Sequence, residues 1–277
     1  MALSSYLRLT FFLSAAASSA ASLEAAETAP QAQVETIDAQ VAHLPSGYIP
    51  RAELPDSLAL LPPPPVPGSQ AFARDEEARG AVQALRSNSE RWRRAASDAV
   101  LEPDSLAADF SCAAGRSISK QATPQTFALL SKLMIDVGLS TYKAKDHYRR
   151  TRPFVIHQQA TCAPADEALL RTDGSYPSGH SAIGWGWALI LSELRPQRVD
   201  AILARGRDFG QSRLVCDAHW QSDIDAGRLV ASTAIARLHA DPEFRQDMEA
   251  ARIELRNAAT APLEADCAAE AASLKMD

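Results

Sequence analysis

The sequence is short of several things that would have placed it quickly. After residue 26 no apolar run approaches the ~20 residues that span a bilayer; the longest, Ala182 to Leu191, is half that length. Membrane helices are therefore not expected in the mature chain. It has no excess of positive charge: 28 Lys and Arg stand against 34 Asp and Glu, for a net charge of -6 and a pI near 5.6. That balance gives no long-range attraction for nucleic acid, so an anionic ligand has to be held by a local basic site. The four cysteines, Cys112, Cys162, Cys216 and Cys267, contain no CxxC pair, which argues against a cysteine zinc centre. No segment alternates apolar and polar residues between hairpin turns, and aromatics are only 6% of the chain. An all-β fold has no support.

What is present begins with a short segment carrying Arg8, an apolar run from Leu9 to Ala17, and small residues as far as Ala26. This is the layout of a secretory signal peptide over about residues 1–26, with several small-residue cleavage sites between Ala20 and Ala26. Export, to a periplasm or beyond, permits disulfides, and four cysteines allow three full pairings between which the sequence does not choose. Residues 27–70 are rich in proline and alanine and include Leu60 to Gly68, LLPPPPVPG. Polyproline cannot continue a helix, so this part reads as an extended arm, with Leu58, Leu60 and Leu61 available to dock it.

From Ala71 the periodicity becomes helical. Val82, Leu85, Trp92 and Ala96 share one face, as do Phe127, Leu130, Met134 and Val137; Val199, Ile202, Leu203 and Phe209; and Phe244, Met248, Ala251 and Leu255. Breaks fall at Gly115, Gly138, Pro153, Pro164, Pro177, Pro196 and Pro242. The expected architecture is an all-α single domain over residues 71–260 with a short tail, 261–277.

Three clusters carry chemistry. In KDHYRRTRP, Lys145 and Arg152 are seven residues apart, two helical turns, so that in a helix they share a face and can grip one anion. Arg149 falls between them and Arg150 points elsewhere, while Pro153 puts Arg152 at a helix end. In GSYPSGHS, the turn Pro177-Ser178-Gly179 opens a helix whose free N–H groups and dipole form an anion site. His180 stands beside it, where an imidazole can protonate a leaving oxygen. In SRLVCDAHWQSDIDAGR, His219 and Asp223 are four residues apart, one helical turn, so the carboxylate can hold one ring nitrogen and leave the other as a nucleophile. Arg213 adds a cation. Trp185, Trp187 and Trp220 read as core residues, and His43, His147 and His239 as structural ones. Asp225 and Arg228 are spaced for a surface ion pair worth little.

Three cations, a helix N-terminus, two histidines and one carboxylate form an inventory for phosphoryl transfer without metal. The order Lys145, six residues, Arg152-Pro153; Pro177-Ser178-Gly179-His180; and Ser212-Arg213, five residues, His219, three residues, Asp223 resembles the three-part signature of the type 2 phosphatidic acid phosphatase superfamily. That group includes vanadium haloperoxidases and bacterial acid phosphatases. GSYPSGH, HWQSDIDAGR and PDSLALLPPPP are similar, within it, to the periplasmic class A nonspecific acid phosphatases, and the likeness runs from about Leu54 to about Leu255. The resemblance implies an all-helical bundle and hydrolysis of small phosphomonoesters without metal or cofactor. It makes Lys145, Arg152, Ser178, Gly179 and Arg213 the phosphate ligands, His180 the acid, His219 the covalent nucleophile and Asp223 its orienter. Vanadate inhibition and a homodimer or larger homo-oligomer are further implications, and transfer of the phosphoryl group to a second alcohol is a side reaction.

Three positions depart from the family pattern: Ser181 replaces a usual threonine, Asp217 a common glycine, and Ile156-His157 an aromatic pair. Asp217 brings another carboxylate toward the nucleophile, with an expected effect on the pH profile, and His157 reads as a surface residue. The competing readings are a vanadate-dependent haloperoxidase using the same pocket, a membrane-embedded lipid phosphatase, and a periplasmic phosphate-binding protein without catalysis. The flanking segments, the missing spanning helices and the oriented histidine respectively weigh against them.

Overall fold

In the computed structural model the described residues are 46–86, 89–257 and 266–274. The chain divides into two units, Met1–His43 and Leu44–Asp277. The signal-peptide reading, the first part of the proline-rich arm and His43 all lie outside the described residues.

The described residues of the second unit form helices joined by turns and loops, with no strand among them. In chain order the helices are α1 (Ser57–Leu60), α2 (Gln70–Ala81), α3 (Glu90–Ser97), α4 (Pro103–Ala114), α5 (Pro124–Leu139), α6 (Tyr142–Tyr148) and α7 (Pro153–Ile156). They continue with α8 (Glu167–Leu170), α9 (Gly179–Leu194), α10 (Val199–Val215), α11 (Gln221–Leu238), α12 (Pro242–Asn257) and α13 (Cys267–Ser273). Pro103, Pro124 and Pro153 each start a helix at a position whose N–H would have no partner. Gly115 ends α4 with a positive φ of 63°.

Helix α9 is the centre of the bundle, packed by α10, α11 and α5. Its run of small and apolar residues is what that position demands, since a helix surrounded by others has no solvent face to furnish. The approach of α10 is set by Gly206, where an added Cβ would lie 2.4 Å from Ala188 Cβ. Most of the expected faces are buried: Phe127, Leu130 and Val137 on α5, Ile202 and Phe209 on α10, and Phe244, Met248, Ala251 and Leu255 on α12.

Two expectations change. Val82, Leu85, Trp92 and Ala96 do not share one helix: α2 stops at Ala81, a short 3-10 turn covers Gln83–Leu85, and α3 begins only at Glu90, capped by Ser89. Gly138 does not break α5, which runs on to Leu139.

Of the arm, Tyr48, Ile49, Leu54 and Leu61 are buried, whereas Leu60 faces outward. Asp136 of α5 secures the arm by accepting the N–H groups of Tyr48 (2.8 Å) and Ile49 (3.2 Å). Leu61 packs with Ala144, Tyr176, Ala226 and Val230, so the arm reaches α6, α11 and the segment that precedes α9. A second polar anchor is Arg205, buried in α10, which meets Asp98, Asp109 and Glu270. The disulfides are Cys112–Cys267 and Cys162–Cys216.

Candidate active site

The three clusters come together at the N-terminal end of α9. The first is built differently from a single helix. Helix α6 closes at Tyr148, and Arg149 takes the left-handed conformation (φ 42°) that turns the chain out of it. Arg152 is the N-cap of α7, in extended backbone, with Pro153 as the first helical residue. Lys145 and Arg152 therefore meet from separate elements, and both are buried, at 4% and 2% exposure. Arg149 is exposed and takes no part. Arg150 turns inward instead, and donates to Asp223 Oδ1 at 2.6 Å.

Ser178 caps α9, its Oγ accepting from Ser181 N–H (3.3 Å) and Ser181 Oγ (2.9 Å), so its hydroxyl hydrogen remains free to donate. The turn is pinned from α11, where Ser178 N–H donates to Asp223 O at 2.9 Å. Gly227 makes that approach feasible, since a Cβ there would stand 2.4 Å from Ser178 O. At Gly179, by contrast, the nearest atom an added Cβ would meet is Thr141 Oγ1 at 3.8 Å, so the protein's own packing does not require glycine.

His180 Nε2 lies 2.9 Å from Ala99 O. A carbonyl only accepts, so Nε2 carries the hydrogen and Nδ1 is the nitrogen left to gain or lose a proton. Burial, reinforced by Arg213, holds this imidazole well below the usual histidine range.

His219 precedes α11 rather than lying on it. Residues 216–220 form a turn between α10 and α11, in which Asp217 adopts a left-handed φ of 61°. Trp220 is the N-cap of α11 and Asp223 its third residue, accepting Trp220 N–H at 2.9 Å on Oδ2. The helix-capping geometry thus brings Asp223 under His219: Nδ1 is 3.4 Å from the same Oδ2 and makes no hydrogen bond of good geometry. On the other side of the ring, Nε2 is 2.9 Å from Arg152 Nη1. A guanidinium only donates, so Nε2 presents its lone pair there and Nδ1 holds the hydrogen, with Asp223 beside it. Burial, followed by the charges of Arg152, Lys145 and Arg213, depresses the His219 pKa well below the ordinary value. The ring is neutral.

The cations are expensive to keep here. Burial lowers the Lys145 and Arg152 pKa values against the pull of Asp173. Arg213, fully buried, is pushed down to about 10 by burial and by Arg152. Its guanidinium forms no salt bridge among the described residues, Nε is unpaired, and Nη1 meets Cys216 Sγ only at 4.0 Å. A guanidinium buried in that state calls for an anion.

Sequence reasoning missed Asp173, whose carboxylate pairs with Arg152 (2.8 Å) and Lys145 (3.4 Å) and is a quarter exposed. Nothing in its spacing distinguished it from other loop acids. Asp75 was missed too. Asp217 does not face the nucleophile as another free carboxylate: it accepts from Arg79 Nε and Nη2 at 2.8 Å each and pairs with Arg86. His157 is half-buried at the edge of Trp220 and paired with Glu76 at 3.1 Å, rather than a plain surface residue.

Residues 124–246 match the PAP2 superfamily. The chain is 47% identical to a non-specific acid phosphatase of Providencia stuartii over 208 residues, which covers 75% of this chain and 84% of that one. It is 44% identical to a non-specific acid phosphatase of Salmonella typhimurium, covering 73% and 81%, and 43% identical to an acid phosphatase of Zymomonas mobilis, covering 74% and 77%. With the matched residues 124–246 containing the whole site and the relatives at 43–47% identity covered to three quarters or more of their length, the chain belongs to the PAP2 superfamily, beside the non-specific acid phosphatases.

Proposed function

We propose that this protein is an exported acid phosphatase that hydrolyses small phosphomonoesters through a covalent phosphohistidine at His219, with no metal in the reaction. The observation that carries the reading is the gathering of three buried cations, Lys145, Arg152 and Arg213, around a neutral histidine whose Nε2 lone pair faces Arg152. Neutralising the equatorial phosphoryl oxygens is the principal demand of such a transfer.

In this reading the phosphate group displaces Asp173 from Lys145 and Arg152, and is held as well by Arg213, Ser178 Oγ and the N–H groups at the start of α9. Arg152 passes from the His219 lone pair to a phosphoryl oxygen, and Nε2 attacks phosphorus in line. The bond from phosphorus to the ester oxygen breaks as the new P–N bond forms. The arriving negative charge raises the affinity of His180 for a proton, which Nδ1 delivers to the leaving alkoxide. Imidazolium character on the phosphorylated His219 is offset by Asp223. His180 then takes a proton from water, the resulting hydroxide attacks phosphorus, and the P–N bond breaks to return the neutral ring. A second alcohol in place of water gives phosphotransfer, and vanadate, as a mimic of the five-coordinate phosphorus, inhibits.

The test is rapid acid-free quench with ³²P-labelled phosphomonoester at mildly acid pH in EDTA. Wild type acquires acid-labile, base-stable label and His219→Ala acquires none, its turnover falling by about 10⁴ or more. Label on His219→Ala, or turnover that stops in EDTA and returns with a divalent metal, overturns the reading.

A further inference from the structure

Asp223 is held by more than the helix it caps. Its Oδ1 receives Arg150 Nη1 at 2.6 Å, and the pair is almost wholly inaccessible, with side-chain exposures of 7% and 0%. The other nitrogen of the same guanidinium, Nη2, donates to Asp75 Oδ2 at 2.7 Å. Asp75, buried on α2, also accepts Ser222 N–H (2.9 Å) and Ser222 Oγ (2.6 Å), while Arg150 Nη1 reaches Ser222 Oγ at 2.7 Å. The plane of Trp220 covers the guanidinium at 5.4 Å. Arg150 is thus shared between two carboxylates from different helices, inside a closed ring of hydrogen bonds that adjoins the His219 pair. Neither Arg150 nor Asp75 lies within hydrogen-bond reach of the phosphate-binding groups, so neither has a place in the reaction itself.

We propose that Arg150 is a positioning residue which, divided between Asp75 and Asp223, sets both the orientation of Asp223 and the fraction of its negative charge that acts on His219. This rests on the reading of His219 as nucleophile. A planar fork suits the task because its two ends can be spent on two acids in fixed directions, which an ammonium cannot do.

The groups facing His219 define the sign. Lys145 from α6, Arg152 ahead of α7, Arg213 of α10 and His180 of α9 oppose its protonation, Asp173 acts through Arg152, and the backbone of Ser175 and the Asp223 carboxylate of α11 favour it. Removing Arg150 leaves Asp223 with no counter-ion but the ring, so the protonated ring is favoured. Neutralising Asp75 does the opposite, since the whole of Arg150 then falls to Asp223.

The experiment is a ¹⁵N-imidazole titration of histidine-labelled wild type, Arg150→Met, Arg150→Lys and Asp75→Asn, with His219→Ala assigning the signal. It is paired with kcat/KM against pH and far-UV circular dichroism. Arg150→Met moves the His219 midpoint up by about one pH unit and carries the acid limb of kcat/KM with it. Arg150→Lys gives a smaller rise and partial recovery of rate. Asp75→Asn moves the midpoint down by roughly half a unit. Opposite signs from two sides of one guanidinium are not produced by general loosening. If Arg150→Met fails to fold, Arg150→Lys and Asp75→Asn decide. Midpoints unmoved in folded variants, or shifts of one sign in all, overturn the role of Arg150. Active, labelled His219→Ala would instead remove the nucleophile reading beneath it.

Discussion

Asp217 shows how a single position can be misjudged from spacing. Two residues before His219, it looked like a carboxylate poised to disturb the nucleophile. Its φ of 61° accounts for glycine being common at such a turn, and an aspartate tolerates that conformation for about 1–2 kcal/mol. What it gains is larger. Its carboxylate joins Arg79 and Arg86, and breaking a buried pair from one side costs about 3–5 kcal/mol. Relief of backbone strain therefore loses to the stranded cations, and Asp217→Gly should be destabilised by roughly 2 kcal/mol despite restoring the residue usual in the family. Removing that carboxylate leaves Arg79 and Arg86 unbalanced two residues from His219, so the acid limb of kcat/KM should move to lower pH. Urea unfolding and a pH series on the same variant check both halves, and a stabilised variant would show that strain dominates.

The elements were more legible than their junctions. The face Phe244, Met248, Ala251 and Leu255 repeats along one uninterrupted helix and is buried as read. Lys145 and Arg152 are also brought together, on Asp173, yet the helix inferred to join them does not exist, because Arg149 turns the chain and Pro153 restarts it. Periodicity records which residues face inward; it is blind to where a helix stops and a new one continues the same phase. Arg150 and Asp173 were illegible for a different reason: their partners lie 73 residues away on α11 and 21 residues back on the chain, and no local pattern marks them. At this scale α5 carries a testable device. Burial raises Asp136 to about 6 although it accepts two N–H groups of the arm. The folded chain then binds more protons than the unfolded chain between about pH 4 and 6, so this group lowers stability as pH rises through that window and restores it on acidification. This group should add to the wild-type Tm as pH falls from 6.5 to 4.5, and Asp136→Asn should remove that gain. A slope identical in both proteins would assign the acid stability to other groups.

Across the whole molecule the two disulfides divide the work of holding the body together and holding the site. Cys112–Cys267 spans 155 residues and ties α4 to α13, where Glu270 completes the partners of Arg205 and Ser273 Oγ accepts from Arg94. On the chain-entropy model a loop of that length is worth about 5 kcal/mol. Cys162–Cys216 spans 54 residues, about 4 kcal/mol on the same model, but its second cysteine follows Arg213 by three positions and lies 4.0 Å from that guanidinium. The two losses of stability should be alike, on the order of 10 °C in Tm, while their effects on catalysis should not. Replacing Cys112 and Cys267 by serine frees a short helix whose contacts are with α3, α4 and α10, and kcat/KM at 25 °C should stay within about twofold of wild type, the range expected when no group touching substrate has moved. Replacing Cys162 and Cys216 by serine releases the end of α10 that carries Arg213 and the turn that carries Asp217 and His219, and kcat/KM should fall by about tenfold or more well below the melting temperature. Equal losses of activity in the two variants would mean that the buried Arg205 cluster, through Asp98, its bond to Ser212 Oγ and the neighbouring Ala99 carbonyl that holds His180, transmits strain to the site as effectively as the turn itself.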